Sequence, residues 1–115
     1  MDNLFGTILA VDDNRDNLKI LEFLFRPFKN IHLDIAFSGA EAIEKLNKFN
    51  YDLILLDIDM PVMDGYETAQ RIKTNKLLNR IPIVFITGEY NAQQFVEKGF
   101  ALGAVDYLNK PIDNN

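Results

Sequence analysis

The sequence predicts an α/β domain built on a five-stranded parallel sheet. Three observations predict it. Short apolar runs alternate with stretches of helical periodicity along the chain. The run Leu53-Ile54-Leu55-Leu56 is wholly apolar, as a central strand covered on both faces should be. The order β-α-β-α-β-α-β-α-β calls for crossover connections, which parallel strands require. The 115 residues suit one domain, taken as 1–115.

Each element has its own signal. Thr7-Ile8-Leu9-Ala10-Val11 reads as a buried strand. From Arg15 to Phe25, Leu18, Leu21, Leu24 and Phe25 recur at helical spacing until Pro27 stops the helix. Ile31 to Ala36 alternates with period 2, as a half-exposed strand near a sheet edge does. Ser38 and Glu41 form a capping box, opening a helix whose stripe is Ala42, Ile43, Leu46 and Phe49. Asp64 and Glu67 resemble a second cap, with Tyr66, Ala69 and Ile72 in line behind it. Ile83-Val84-Phe85-Ile86 is another buried strand. Asn91 can cap a fourth helix bearing Phe95, Val96 and Phe100, ended by Gly103. Val105 to Leu108 is the last strand.

Composition narrows the function classes. Hydrophobic residues make up 48% and charged residues 25%, an ordinary globular mixture. A net charge of −5 offers no basic footprint for nucleic acid. With no cysteine there is neither a disulfide framework nor a thiolate metal site, which suits a cytoplasmic location. No run reaches the roughly 18 apolar residues of a membrane span. The N-terminus lacks the basic region of a secretory signal, and there is no internal repeat.

In open parallel sheets, ligands bind beyond the carboxyl ends of the strands. The first strand delivers Asp12 and Asp13 there. The third delivers Asp57, with Asp59 two residues on, and the fourth delivers Thr87. Lys110 and Pro111 follow the fifth. Any one polar residue after a strand is ordinary, because the loop meets water. Together, three carboxylates, a hydroxyl and a lysine make a set suited to phosphoryl chemistry. Oxygen-only ligands favour a hard cation such as Mg²⁺, which relieves carboxylate repulsion and offsets phosphoryl charge. A carboxylate can attack phosphorus to give an acyl phosphate.

Four blocks then match a known family. Val11-Asp12-Asp13-Asn14, Asp52 through Gly65, Ile81 through Gly88 and Gly103 through Pro111 resemble the response-regulator receiver domains of two-component signal transduction, the CheY-like superfamily. The blocks occur in order and at the usual spacing from about Thr7 to Pro111. The resemblance implies a doubly wound, flavodoxin-like sheet of strand order 2-1-3-4-5. It implies that Asp57 accepts a phosphoryl group from a phosphohistidine of a sensor histidine kinase or a histidine phosphotransfer protein. Asp12, Asp13, Asp57 and the carbonyl of Asp59 would hold Mg²⁺, with Mn²⁺ as a substitute. Thr87 and Lys110 would contact the phosphoryl group, and Tyr107 would turn inward as Thr87 is drawn to it. Lys110-Pro111 is often cis in this family. The implied role is a bacterial, cytoplasmic phosphoacceptor that catalyses only its own phosphorylation and slow autodephosphorylation. It would switch an output domain or partner, and pairing of two copies is compatible with that role. The tract Gly99 through Tyr107 is similar to receivers attached to sensor kinases or diguanylate cyclases.

Some positions carry simpler readings. Gly88 is turn chemistry that also keeps the pocket beside Thr87 open. Asp59 and Glu89 stand where family members vary in autodephosphorylation. His32, the only histidine, falls in the expected edge strand and is read as structural, not as a phosphohistidine donor. The family continues past Lys-Pro into a fifth helix of roughly three turns. Here Ile112-Asp113-Asn114-Asn115 ends the sequence, so the last helix is expected to be missing. One sheet face would then be covered by the first helix alone, and a piece cut from a larger protein is the favoured explanation.

Two alternatives stand beside this reading. Leu55-Leu56-Asp57-Ile58-Asp59 also mimics the Asp-x-Asp of haloacid-dehalogenase-type phosphatases. That family places the motif on its first strand and its acidic metal pair late, the reverse of the order here. A pseudo-receiver, with the fold but no phosphorylation, conflicts with the presence of every chemical residue.

Overall fold

The computed structural model describes residues 5–58, 60, 62–87 and 106–109, with 87 and 106–109 described by their backbone. The element order is β1 (Gly6–Val11), α1 (Arg15–Phe25), β2 (Ile31–Ala36), α2 (Gly39–Lys48), β3 (Leu53–Asp57), α3 (Gly65–Lys73), β4 (Ile83–Thr87) and β5 (Asp106–Asn109). The five strands form one sheet of order β2-β1-β3-β4-β5. Every neighbouring pair is parallel.

Alternation along the strands feeds two cores. Leu9, Val11, Ile54, Leu56, Ile83 and Phe85 pack on one face with Ala42 and Leu46 of α2 and with Tyr66, Ala69 and Ile72 of α3. Ile8, Ala10, Leu55 and Ile86 pack on the other with Leu18 and Leu21 of α1. Both sides of β1 and β3 therefore need apolar residues, which explains their unbroken hydrophobic runs. The Tyr66 and Phe85 rings, 5.2 Å apart and inclined at 56°, join α3 to β4. On the α1 side, Leu33, Leu53 and Val84 are only partly buried. Among the described residues, α1 alone covers that face.

The helix starts follow from their caps. Asn14, not singled out from sequence, caps α1 by accepting from the Asp16 and Asn17 N–H groups. Ser38 caps α2 by accepting from the Glu41 N–H at 3.0 Å. Glu41 reaches back to the Phe37 N–H at 2.6 Å, one residue earlier than the usual capping box. Asp64 caps α3 through the Glu67 N–H at 2.8 Å.

Two expectations need correction. Phe49 does not continue the α2 stripe: it is the C-cap, extended at φ −130, and 59% exposed. The helix ends one residue before it, so helical spacing no longer governs its direction. The last strand is Asp106–Asn109, one residue later than predicted. Its register, with Val84 opposite Asp106 and Thr87 opposite Asn109, is set by pairing with β4 and not by its own apolar run. The expected fourth helix, with Asn91, Phe95, Val96, Phe100 and Gly103, lies outside the described residues, as does the chain beyond Asn109.

Candidate functional site

The sheet reverses its winding between β1 and β3, and such a switch point opens a crevice at the carboxyl ends. Register brings the polar residues there. Val11 lies opposite Leu56, so Asp12 follows β1 at the level where Asp57 ends β3. Asp57 lies opposite Ile86, which puts Thr87 one residue further along β4. Asp57 is the last residue of its strand and not the first of the loop, so its backbone is held in the ladder. The following Ile58 N–H donates to the Ile86 carbonyl at 3.1 Å, prolonging that hold.

Asp12 and Asp57 are buried, at 1% and 0% exposure, whereas Asp13 is exposed. One oxygen from each of Asp12, Asp13 and Asp57 lies within 4.8 Å of the others. Burying two carboxylates beside a third is costly without compensating positive charge or hydrogen bonds. Part of that compensation is visible around Asp12. Its Oδ1 accepts from the Asn14 backbone N–H at 2.9 Å, and its Oδ2 accepts from the Asn17 side-chain amide at 3.1 Å. Three oxygen donors so close together suit a small hard cation, and the open side at Asp13 gives it a way in.

The start of α3 packs against the end of β3. Gly65 sits against the backbone of Asp57 and Ile58, and its N–H donates to the Ile58 carbonyl at 3.0 Å. The connecting loop carries Val62 at φ 68, fully exposed, a left-handed conformation that a β-branched residue rarely adopts.

The structure thus brings together Asp12, Asp13 and Asp57. It places the backbone of Thr87 on the next strand at the same rim, and the backbone of Tyr107 opposite Phe85 on β5. The side chains of Thr87 and Tyr107, and the whole of Asp59, Gly88, Glu89, Lys110 and Pro111, lie outside the described residues. His32 is exposed on the edge strand β2, away from this rim, as expected. Sequence reasoning missed Asn17 and Gly65 as site neighbours. Asn17 had a legible signal, a short amide one helical turn past Asp13, but only the fold shows its contact.

Comparisons with known proteins agree with this fold. The family model described as the response regulator receiver domain matches residues 8–115. A "probable cyclic di-GMP phosphodiesterase" of Vibrio cholerae is 43% identical over 106 residues, covering 92% of this chain and 23% of that protein. The signal transduction histidine-protein kinase BarA of Escherichia coli is 37% identical over 107 residues, covering 93% of this chain and 11% of BarA. Among solved structures, the chemotaxis protein CheY4 of Vibrio cholerae superposes with a TM-score of 0.87 at 28% identity, covering 96% of this chain and 90% of CheY4. The receiver domain of a Pseudomonas aeruginosa sensor histidine kinase, solved with a magnesium ion coordinated in its active-site cleft, gives 0.81 at 32% identity, covering 96% and 88%. The chain spans 23% and 51% of the first two curated relatives it matches. Among the described residues, no helix is long and apolar enough to cross a membrane. With a family model matched across nearly its whole length and a sheet wound in the order that family uses, the chain belongs to the response regulator receiver domains, the phosphoacceptor modules of two-component signalling.

Proposed function

We propose that Asp57 is the phosphoacceptor of this receiver and that Asp12 and Asp13 hold a divalent cation, Mg²⁺ or Mn²⁺, beside it. The observation that carries the proposal is the convergence of these three carboxylates, two of them buried, at the switch point of the sheet. The phosphatase alternative is left without support by the family match over residues 8–115. The phosphodiesterase name among the relatives belongs to a protein of which this chain covers 23%.

In the proposed reaction, an Asp57 carboxylate oxygen attacks the phosphorus of a phosphohistidine on a sensor kinase or phosphotransfer protein. The new P–O bond forms as the P–N bond breaks, and the electron pair returns to the imidazole. When bound, the cation supplies positive charge to the phosphoryl oxygens. Asp12, held by Asn14 and Asn17, presents a fixed oxygen to it, and Asp13 contributes from the open side. By the family resemblance, the Asp59 carbonyl would be a further ligand. Thr87 donates its hydroxyl to a phosphoryl oxygen, and Lys110 supplies a compact positive charge.

The readout is a two-state switch. Thr87 ends β4, and Tyr107 sits on the adjacent β5. As the family resemblance implies, Thr87 would be drawn toward the phosphoryl group and Tyr107 would turn inward, biasing a pre-existing minor state. The output domain or partner reads that state. Incubation with acetyl phosphate and Mg²⁺ tests the proposal: the wild type should gain one phosphoryl mass, labile to hydroxylamine, that Asp57→Asn lacks. No Asp57-dependent mass gain would refute it.

A further inference from the structure

The hydrogen bonds around Asp12 point to a residue outside the carboxylate set. The Asn14 N–H that meets Oδ1 is two residues away and belongs to the turn into α1. Asn17 lies within the helix, five residues from Asp12, and is only partly exposed. Its own backbone N–H is already served by the Asn14 side chain at 3.2 Å, so the helix start needs nothing from the Asn17 side chain. Another polar residue there would leave the cap intact. The amide is instead spent on Asp12 Oδ2.

We propose that Asn17 is a positioning residue for the cation site, acting through Asp12. The inference rests on the reading of Asp12, Asp13 and Asp57 as that site. A lone aspartate turns about two side-chain bonds, and a cation must freeze both. Donors on both oxygens, one from the backbone and one from Asn17, fix the carboxylate plane in advance and lower that cost. The neutrality of the amide matters as much as its reach. A lysine or arginine on Oδ2 would also hold Asp12, but would cancel the negative charge that attracts the cation. A carboxylate there would repel Asp12 and turn it away.

Calorimetric titration of the whole chain with Mg²⁺ tests this in wild type, Asn17→Ala and Asn17→Gln, alongside thermal unfolding in a chelator. Asn17→Ala should bind Mg²⁺ about 10-fold more weakly or worse. Asn17→Gln, which keeps the amide donor on a longer arm, should lose less. Without metal, Asn17→Ala should melt a few degrees lower than wild type, because the buried Asp12 Oδ2 loses one donor, while Asn17→Gln should stay closer to wild type. Binding by Asn17→Ala as tight as that of the wild type overturns the inference. So does a loss that Asn17→Gln shares in full, or one that unfolding of the metal-free variant accounts for in full. A wild type that does not bind Mg²⁺ is a different failure, which sinks the site itself.

Discussion

Gly65 lies so close to the acceptor strand that a Cβ built on it would stand 2.2 Å from the Asp57 carbonyl oxygen and 2.7 Å from the Ile58 Cα. Both obstacles are backbone, so no side-chain rotation relieves them. Gly65→Ala should force α3 away from the end of β3 and destabilise the fold by about 1–3 kcal/mol, the usual range for overpacking. It should also slow acetyl phosphate labelling of Asp57 more than the stability loss explains. Chemical denaturation and a labelling time course check the two effects separately.

A second polar cluster makes the stability pH-dependent. The Tyr51 hydroxyl donates to Asp34 Oδ2 at 2.5 Å, and Lys45 Nζ lies 3.2 Å from Oδ1. Burial pushes the Asp34 carboxyl up, but the Tyr51 hydroxyl, the Ile35 N–H and Lys45 together hold it below its ordinary 3.8. A depressed folded value contributes stability above 3.8 that is lost as pH falls through the folded value. Burial, then the Asp34 carboxylate, raise the Tyr51 hydroxyl above its ordinary 10.0, so that contribution fades only in alkali. Tyr51→Phe should cost on the order of 1 kcal/mol at neutral pH. The cost should shrink in acid, where Asp34 is protonated in both states. Denaturation midpoints of the pair across acid pH would show it, and a pH-independent difference would count against the mechanism.

Lys45 also guards a sheet edge. The Ala36 carbonyl points to β1, accepting from the Asp12 N–H at 3.1 Å, so alternation turns the Ile35 groups outward on the edge strand. The Ile35 carbonyl accepts from Lys45 Nζ at 2.6 Å, and its N–H donates to Asp34 Oδ1 at 2.9 Å. The Ile31 N–H is taken by the Phe28 carbonyl at 3.1 Å. Exposed edge groups are templates for pairing with another chain. Lys45→Met should uncover one acceptor and release Asp34, promoting self-association at high protein concentration. Sedimentation velocity would detect it; an unchanged distribution would speak against an edge-guarding role.

Metal-free stability and the extra stability given by Mg²⁺ should respond in opposite directions to Asp13→Asn. Removing the exposed carboxylate relieves repulsion with Asp12 and Asp57, so the chain should melt a few degrees higher in a chelator. The stabilisation given by added Mg²⁺ should fall, because a ligand has been lost. Thermal unfolding with and without Mg²⁺ measures both.

The sequence by itself determined the layout of the sheet and the identity of the acidic trio. α1 begins at Arg15 and ends at Phe25 as predicted, because its apolar spacing and Pro27 are local signals. Ile72, Ala69 and Tyr66 are buried as their spacing requires. Asp12, Asp13 and Asp57 were legible because carboxylates directly after apolar strands in a parallel sheet must share one rim. Contacts between elements distant in sequence were not legible. The place of Phe49 depended on where α2 stopped, and the bounds of β5 on its pairing with β4. That Gly65 touches Asp57, and that the Asn17 amide reaches Asp12, follow from how α3 and α1 dock on the sheet. Periodicity states which face of an element is apolar; only packing fixes its position along the sheet to within a hydrogen bond's length.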